Sequence, residues 1–442
     1  MRTFHLVSLG CPKNLVDSEV VYGLLERHGW KGVDEPGEGD VLLVNTCGFI
    51  QPAVEESIEE ILNLGSYKKE SPEKKLVVIG CLVQRYRSKL EQDLPEVDLF
   101  VGTEGVGDIH RLLEPLFSQE PSGRVHLPAP FLMDSAMPRS LSTPFFRAWL
   151  KITEGCNNHC SYCLIPSIRG RLRSRTIEDL VAEARSLEQR GVIELSLIAQ
   201  DLTAFGNDHN QQGQLAALLK QLLGETTIPW IRLMYLYPSG ISEELIDFVA
   251  RNPRVLPYMD IPLQHISDSI LKSMNRRYTQ EDVVQLLGKI RTALPEVALR
   301  TTFLLGFPGE TEDDVEQLSD FLHTARFDHV GVFAYTNEEG CPAEQMSSQV
   351  DEQEKNERVQ QVLSIQSSIS AQNLKRYIGK TEAVLIEGNS RETDLLLEGR
   401  TQFQAPEIDG CVLINEGKTS PGEIVQVEFT EAQVYDLVGR II

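Results

Sequence analysis

Three times before residue 82 an apolar run ends at a cysteine: HLVSLG leads to Cys11, DVLLVNT to Cys47 and KLVVIG to Cys81. Each run has the length and aliphatic content of a buried strand. Helical patterns lie between them, NLVDSEVVYGLLERHG (14–29), which stops at a Gly, and PAVEESIEEILNLGSYKK (52–69), amphipathic with Pro near its start. Strands and helices in this alternation predict a parallel α/β sheet with right-handed crossovers. Neighbouring strands about 5 Å apart would then put the three thiols on one rim, the edge where open α/β sheets bind ligands. Three buried, unliganded cysteines are the alternative; their equivalent positions at strand ends argue against it.

A second βα series runs from Trp149 to about Thr336. Its strand runs are AWLKIT (148–153), VIELSLI (192–198), WIRLMYL (230–236), YMDIPL (258–263), VALRTTFLL (297–305) and DHVGVFAY (328–335). About six βα units predict a partial or complete parallel barrel. Residues 351–376 read as one more helix, leaving this domain. The final stretch holds short alternating runs, EAVLIEG, DLLLEGR, GCVLINEG, EIVQVEFT and YDLVGRII, separated by Gly, Asn and Pro. They predict a small antiparallel barrel like an oligonucleotide-binding module. Between the first two series lie Pro121, Pro128, Pro130, Pro138 and Pro144 with little periodicity, the mark of a linker. The predicted organisation is an N-terminal open parallel α/β domain at 1–118, a linker at 119–140, a (βα) barrel at 141–375 and a small β-barrel at 376–442.

The chain carries 42 Lys and Arg against 65 Asp and Glu, a net charge of −23. Such a surface repels a phosphate backbone and attracts a basic protein. The last domain shares the bias, with 6 Lys and Arg against 12 Asp and Glu over 376–442. No run approaches the ~18 apolar residues of a membrane span. The short apolar start is broken by Lys13 and Asp17, unlike a signal peptide. The expectation is a cytoplasmic chain with no membrane partner. Disulfides are rare there, so clustered cysteines point to metal or catalysis.

The segment GCNNHCSYC, holding Cys156, Cys160 and Cys163, follows the first strand of the barrel series. Parallel barrels carry their chemistry on loops at the C-terminal ends of strands. Three sulfurs suit three corners of a 4Fe-4S cube and leave its fourth iron open. Zinc would ask for a fourth ligand; His159 is the nearest, and it reads as solvent-facing or cluster-shielding. Tyr162 reads either as a cover for a cofactor or as core. CNNHCSYC in this position resembles the radical S-adenosylmethionine (SAM) enzymes. That resemblance implies an open iron that chelates SAM and, on reduction, cleaves it to methionine and a 5′-deoxyadenosyl radical able to take hydrogen from an inert C–H bond. It also implies that TTFLLGFPGETEDD (301–314), with Gly306 and Gly309, contacts the SAM adenosine, and that Gln200 lies near the SAM site. The arginines of IRGRLRSR (168–175) read as a holder for a SAM or substrate carboxylate, or as a helix-entry surface stripe.

The two cysteine trios and the terminal barrel together resemble the radical SAM methylthiotransferases over essentially the whole chain. The resemblance implies two 4Fe-4S clusters: one on Cys11, Cys47 and Cys81 that holds or supplies sulfur, one on Cys156, Cys160 and Cys163 that generates the radical. It further implies a TRAM-like terminal barrel, SAM used both as methyl donor and as radical source, and an electron-donor protein. That family divides between tRNA adenosine modifiers and a branch acting on a ribosomal protein. YMDIPLQHISD (258–268) and RTQFQAPEIDG (400–410) resemble the second branch, and an acidic barrel suits a basic substrate. The expected reaction adds a methylthio group to the β-carbon of an aspartate in the twelfth protein of the small ribosomal subunit, met free or on the ribosome. A tRNA adenosine is the alternative substrate, and an iron–sulfur carrier the non-enzymatic alternative. Cys341 and Cys411 belong to neither trio and read as incidental.

Overall fold

The three cysteine-ending runs become neighbouring parallel strands, β1 (Thr3–Ser8), β3 (Val41–Thr46) and β4 (Lys75–Gly80). The computed structural model describes residues 1–118, 123–209, 213–391 and 393–442; Pro121 of the expected linker lies outside them. Three short strands complete the sheet: β2 (Lys31–Gly32), β5 (Leu99–Val101) and β6 (Val125–His126), in the order β2-β1-β3-β4-β5-β6. All pairings are parallel. β3 is buried at every residue because both its faces are covered. Val41 and Leu43 pack with α1 (Pro12–Arg27), while Leu42 and Val44 pack with α2 (Gln51–Glu70) and α3 (Cys81–Tyr86). β6 falls inside the stretch expected to be linker. It is too short to show a period, and its pairing with β5 holds it in the sheet.

Six parallel strands form the central domain: β7 (Arg147–Lys151), β10 (Glu194–Ile198), β11 (Trp230–Leu233), β12 (Val255–Asp260), β13 (Ala298–Leu305) and β14 (His329–Ala334). Their order, β14-β13-β12-β11-β10-β7, leaves the barrel open between β14 and β7. A two-stranded antiparallel ribbon of β8 (Thr153–Glu154) and β9 (Arg173–Ser174) closes the base of the Cys156–Cys163 loop. Alternation along the strands sorts the side chains. Leu195, Leu197, Ile231, Leu233 and Leu299 face the helices, whereas Trp149, Trp230, Leu256 and Tyr258 face inward and pack with the other two domains.

The last five strands, β15 (Thr381–Asn389), β16 (Leu397–Thr401), β17 (Val412–Glu416), β18 (Ile424–Ala432) and β19 (Leu437–Ile441), form a closed barrel. It is not wholly antiparallel as expected, because β17 and β19 run parallel. A closed ring with an odd number of strands cannot alternate direction at every step, so one pair must be parallel.

This barrel docks on the open side of the central domain through buried charge. Glu194 Oε1 accepts from Arg232 Nε at 2.8 Å, and its Oε2 accepts from Arg400 Nη2 at 2.5 Å. Arg400 also donates to Glu387 at 3.0 Å. Burial pushes the Glu194 carboxyl up, but the Arg400 and Arg232 charges outweigh it and hold the pKa at about 2, down from 4.5. Glu194→Gln leaves two buried guanidiniums without their shared carboxylate, and should cost about 3 kcal/mol or more in urea unfolding. The wild-type advantage is whole above pH 4.5 and should fade as pH falls toward 2, as Glu194 protonates in the folded state. Urea midpoints for both proteins across that window test this.

Candidate functional site

Cys11 caps the start of α1, Cys47 directly follows β3, and Cys81 opens α3 at the end of β4. The in-register pairs Ser8↔Asn45 and Thr46↔Gly80 bring these three strand ends side by side. The loops are held tightly. A Cβ on Gly10, whose φ is +88°, would stand 2.8 Å from Cys47 Cβ and 3.3 Å from Cys47 Sγ. A Cβ on Gly80, φ +101°, would stand 2.8 Å from the Thr46 carbonyl. Asn14 staples the rim: its Nδ2 donates to the Leu9 and Thr46 carbonyls, both at 2.9 Å. Exposure falls from Cys11, exposed, through Cys47 to Cys81, buried. Burial pushes the Cys47 thiol up and the Cys81 thiol to about 12.

The second trio lies in a loop fixed from several sides. Cys156 N donates to Gly170 O at 3.1 Å, and Cys163 N to Cys160 O at 3.1 Å. Ser161 Oγ donates to Ser273 O at 2.8 Å, and Asn275 Nδ2 to His159 O at 2.6 Å. The buried Arg276 donates Nη1 to Cys160 Sγ at 3.6 Å and Nη2 to Pro262 O at 2.5 Å, with its guanidinium over the Tyr237 ring. His159 is exposed. The Tyr162 hydroxyl accepts from Arg276, and its ring meets Phe307 edge-on, as a core residue does. Burial pushes Cys156 to about 11 and Cys163 to about 12.

Thiols raised this far ionise only against a cation, such as the iron of a cluster would supply. Among the described residues no three His, Cys, Asp or Glu side chains crowd closely enough to ligate a single ion. A cube presents its irons at separate corners, so thiolates around it spread further apart. Gln200 follows β10, and its buried Oε1 has no hydrogen-bond donor, so it can accept from a ligand's amine or hydroxyl. Gly306 and Gly309 follow β13. Gly306 N donates to Glu310 Oε1 at 2.9 Å, and its Cα packs under Lys355; a Cβ on Gly309 would meet nothing within 4 Å.

Four buried charges join the two sites. Asp17 of α1 accepts from Arg169 Nη1 at 2.7 Å and from Lys151; Glu154 accepts from Lys151 at 2.9 Å and Arg169 at 3.3 Å. Arg169 Nη2 also donates to Asn14 Oδ1 at 2.6 Å and to Cys81 Sγ at 3.4 Å. Beside them the buried Lys13 ammonium stands 3.6 Å from the centroid of the Tyr235 ring. Burial pushes its pKa down, with Cys11, Asp260 and Glu154 among the opposing charges. Tyr235 has φ +61°, held by its N–H donating to Asp260 Oδ2 at 3.0 Å. A cleft of about 340 Å³ brings all three domains together, lined by Cys11, Leu15, Ser142, Arg147 and Glu407.

Three of the four arginines of 168–175 are held by acids of the protein rather than forming a surface stripe. Arg169 joins the charge cluster, Arg173 pairs with Glu104 at 2.7 Å and Arg175 with Glu183 at 2.6 Å; only Arg171 is exposed. The segments around 258–268 and 400–410 meet each other. Tyr258 OH donates to Asp409 Oδ2 at 2.7 Å, and Asp409 lies 3.5 Å from both Arg300 and His329. Cys341 is buried beside Cys81, Leu164 and Ile168. Cys411 sits in the terminal barrel, its N–H donating to Asp436. Sequence reasoning missed Asp17, Glu154, Arg276 and Asp409 as site-building residues. The legible signal was Asp17 and Glu19 on the apolar side of α1.

Comparison with known proteins agrees with this layout. Residues 3–102 match Uncharacterized protein family UPF0004, 150–322 the Radical SAM superfamily and 378–442 the TRAM domain. The radical SAM methyltransferase TsrM from Kitasatospora setae, solved with cobalamin and a [4Fe-4S] cluster, has TM-score 0.58 at 16% identity over 75% of this chain and 72% of its own. OxsB, a cobalamin-dependent SAM radical enzyme, has TM-score 0.53 at 12% identity over 84% of this chain and 58% of its own. Both likenesses concern the fold alone. Fold and cysteine loop define the class, a radical SAM enzyme, with SAM and a 4Fe-4S cluster as its cofactors. "Ribosomal protein uS12 methylthiotransferase RimO" of Desulfotalea psychrophila is 55% identical over 99% of both chains, and that of Geotalea uraniireducens 46% identical over 99% of this chain and 98% of its own. The chain belongs to this RimO methylthiotransferase family. Among the described residues no helix is long and apolar enough to cross a membrane.

Gly10→Ala drives a Cβ into Cys47 and strains a left-handed backbone. A cluster on the rim of Cys11, Cys47 and Cys81, proposed below, would then be lost, and iron bound after anaerobic reconstitution would fall from about eight to about four per chain. Iron analysis of both proteins checks this.

Proposed function

We propose that this chain methylthiolates the β-carbon of an aspartate in ribosomal protein uS12, using two 4Fe-4S clusters and SAM. The observation that carries the reading is full-length identity of 44–55% to proteins named for uS12 methylthiotransfer. A tRNA adenosine, the alternative from sequence, is not favoured by those relatives. SAM and the clusters supply the methyl group, the sulfur and the hydrogen-abstracting radical. The protein's part is to hold two sets of thiolates in fixed relation and keep water away.

Cys156, Cys160 and Cys163 would hold the cluster that cleaves SAM, with Arg276 donating to Cys160 Sγ and steadying that corner. Gln200, Gly306 and Gly309 would line the SAM site at the ends of β10 and β13. Cys11, Cys47 and Cys81 would hold the second cluster. Its support is the adjacency of three parallel strand ends and the Arg169 N–H aimed at Cys81 Sγ. Such hydrogen bonds to cluster sulfurs tune reduction potential. Substrate would reach the clusters from the cleft beside Cys11, which all three domains line. An electron-donor protein would supply the reducing equivalent, in the cytoplasm, with uS12 met free or on the ribosome.

Cys160→Ala should abolish 5′-deoxyadenosine and product together. Cys47→Ala should leave SAM cleavage in place and stop sulfur insertion. Full methylthiolation by Cys47→Ala would overturn the division between the trios. Mass spectra of uS12 from a strain lacking the gene should show the protein lighter by one methylthio group, with tRNA nucleosides unchanged.

A further inference from the structure

Lys13 is 7% exposed, and among the described residues it forms no ion pair and donates to no carbonyl or sulfur; its one contact of this kind is the Tyr235 ring face at 3.6 Å. The acids around it are already engaged. Asp17 and Glu154 each face both Lys151 and Arg169. Asp260 accepts from Arg300 at 2.9 Å and from Tyr235 N at 3.0 Å. Lys13 is thus a buried cation with no carboxylate in direct contact, beside acids that other cations already hold. A ring face recovers only part of what an ammonium loses on leaving water. A cluster on the Cys11 rim already has its own donor in Arg169, which reaches Cys81 Sγ.

Its position says which anion would complete it. Lys13 directly follows Cys11 and Pro12, both of which line the cleft, and its ammonium lies just outside that lining, over the Tyr235 ring. An acidic side chain entering from the cleft on a basic polypeptide would pass Glu407 and reach the ammonium next to the sulfur-bearing rim. We propose that Lys13 binds the carboxylate of the substrate aspartate and so sets the specificity for an acidic side chain. Holding the carboxylate fixes the adjacent β-carbon within one bond of a charge-assisted contact. This rests on the uS12 reading above. SAM also carries a carboxylate, so the test must separate the two sources.

The test uses the full-length, reconstituted protein and two synthetic peptides of the uS12 loop, one with the target aspartate and one with asparagine in its place. Binding is read by fluorescence anisotropy. The wild type should prefer the aspartate peptide by about tenfold or more. Lys13→Met and Lys13→Gln should bind both peptides alike, near the wild-type affinity for the asparagine peptide, while SAM affinity and iron content stay unchanged. Lys13→Arg should keep most of the preference. The ratio is taken within one protein, so general damage to the site would lower both affinities and leave it intact. An undiminished preference in both neutral variants overturns the inference, as does a wild type indifferent to the two peptides. A loss of SAM affinity with the peptide preference retained gives Lys13 to the SAM carboxylate instead. A wild type that binds neither peptide sinks the substrate reading itself, and this inference with it.

Discussion

The four buried charges of Asp17, Lys151, Glu154 and Arg169 fix the relation between the two halves of the site. Asp17 belongs to the N-terminal helix and the other three to the central domain, beside the loop of Cys156, Cys160 and Cys163. Arg169 then reaches past the cluster to Asn14, the residue that staples the first cysteine rim, and to Cys81 itself. Two trios of thiols from separate domains are therefore spaced by direct ionic contact. Removing one partner from such a set leaves buried charge uncompensated, at a cost of about 3–5 kcal/mol. That cost makes the interface stiff.

The terminal barrel completes the enclosure. A six-stranded open barrel leaves one flank exposed, and the polar side chains facing that flank need partners. Arg400 meets Glu194, and Asp409 meets Tyr258, Arg300 and His329. The module therefore commits much of its polar recognition chemistry to its own chain. The segment 400–410, which resembles the ribosomal-protein branch, is in part a structural seam, with Glu407 left at the cleft edge, its φ of +71° turning the loop there and its carboxylate 2.9 Å from Arg147.

Much of this was legible in the sequence. KLVVIG was read as a strand over 75–80, and β4 spans those residues. The six central runs and the five terminal ones each became strands, because their apolar periods are long enough to show. β2, β5 and β6 were missed, since two or three residues carry no period and owe their pairing to neighbours. The parallel β17–β19 pair depends on ring closure, which no local pattern records, although the count of five strands implies it. The cysteines stood out because their contexts repeat. The ion pairs of Arg169, Arg173 and Arg175 were not legible because their partners Asp17, Glu104 and Glu183 lie elsewhere in the chain or on a helix face that the fold turns inward. Lys13 carried no signal beyond breaking an apolar run, because its meaning lies in which acids are already taken.

The first turns of α1 concentrate these duties. Cys11 caps the helix, Lys13 and Asn14 follow within its first turn, and Asp17 stands one turn on. A residue added or removed there would rotate all that follows by about 100° and shift it by about 1.5 Å. The ammonium, the amide staple and the interdomain anchor would leave their places together. Variation in this segment is therefore confined to exchange of side chains, and its length is as invariant a property of the protein as its thiols.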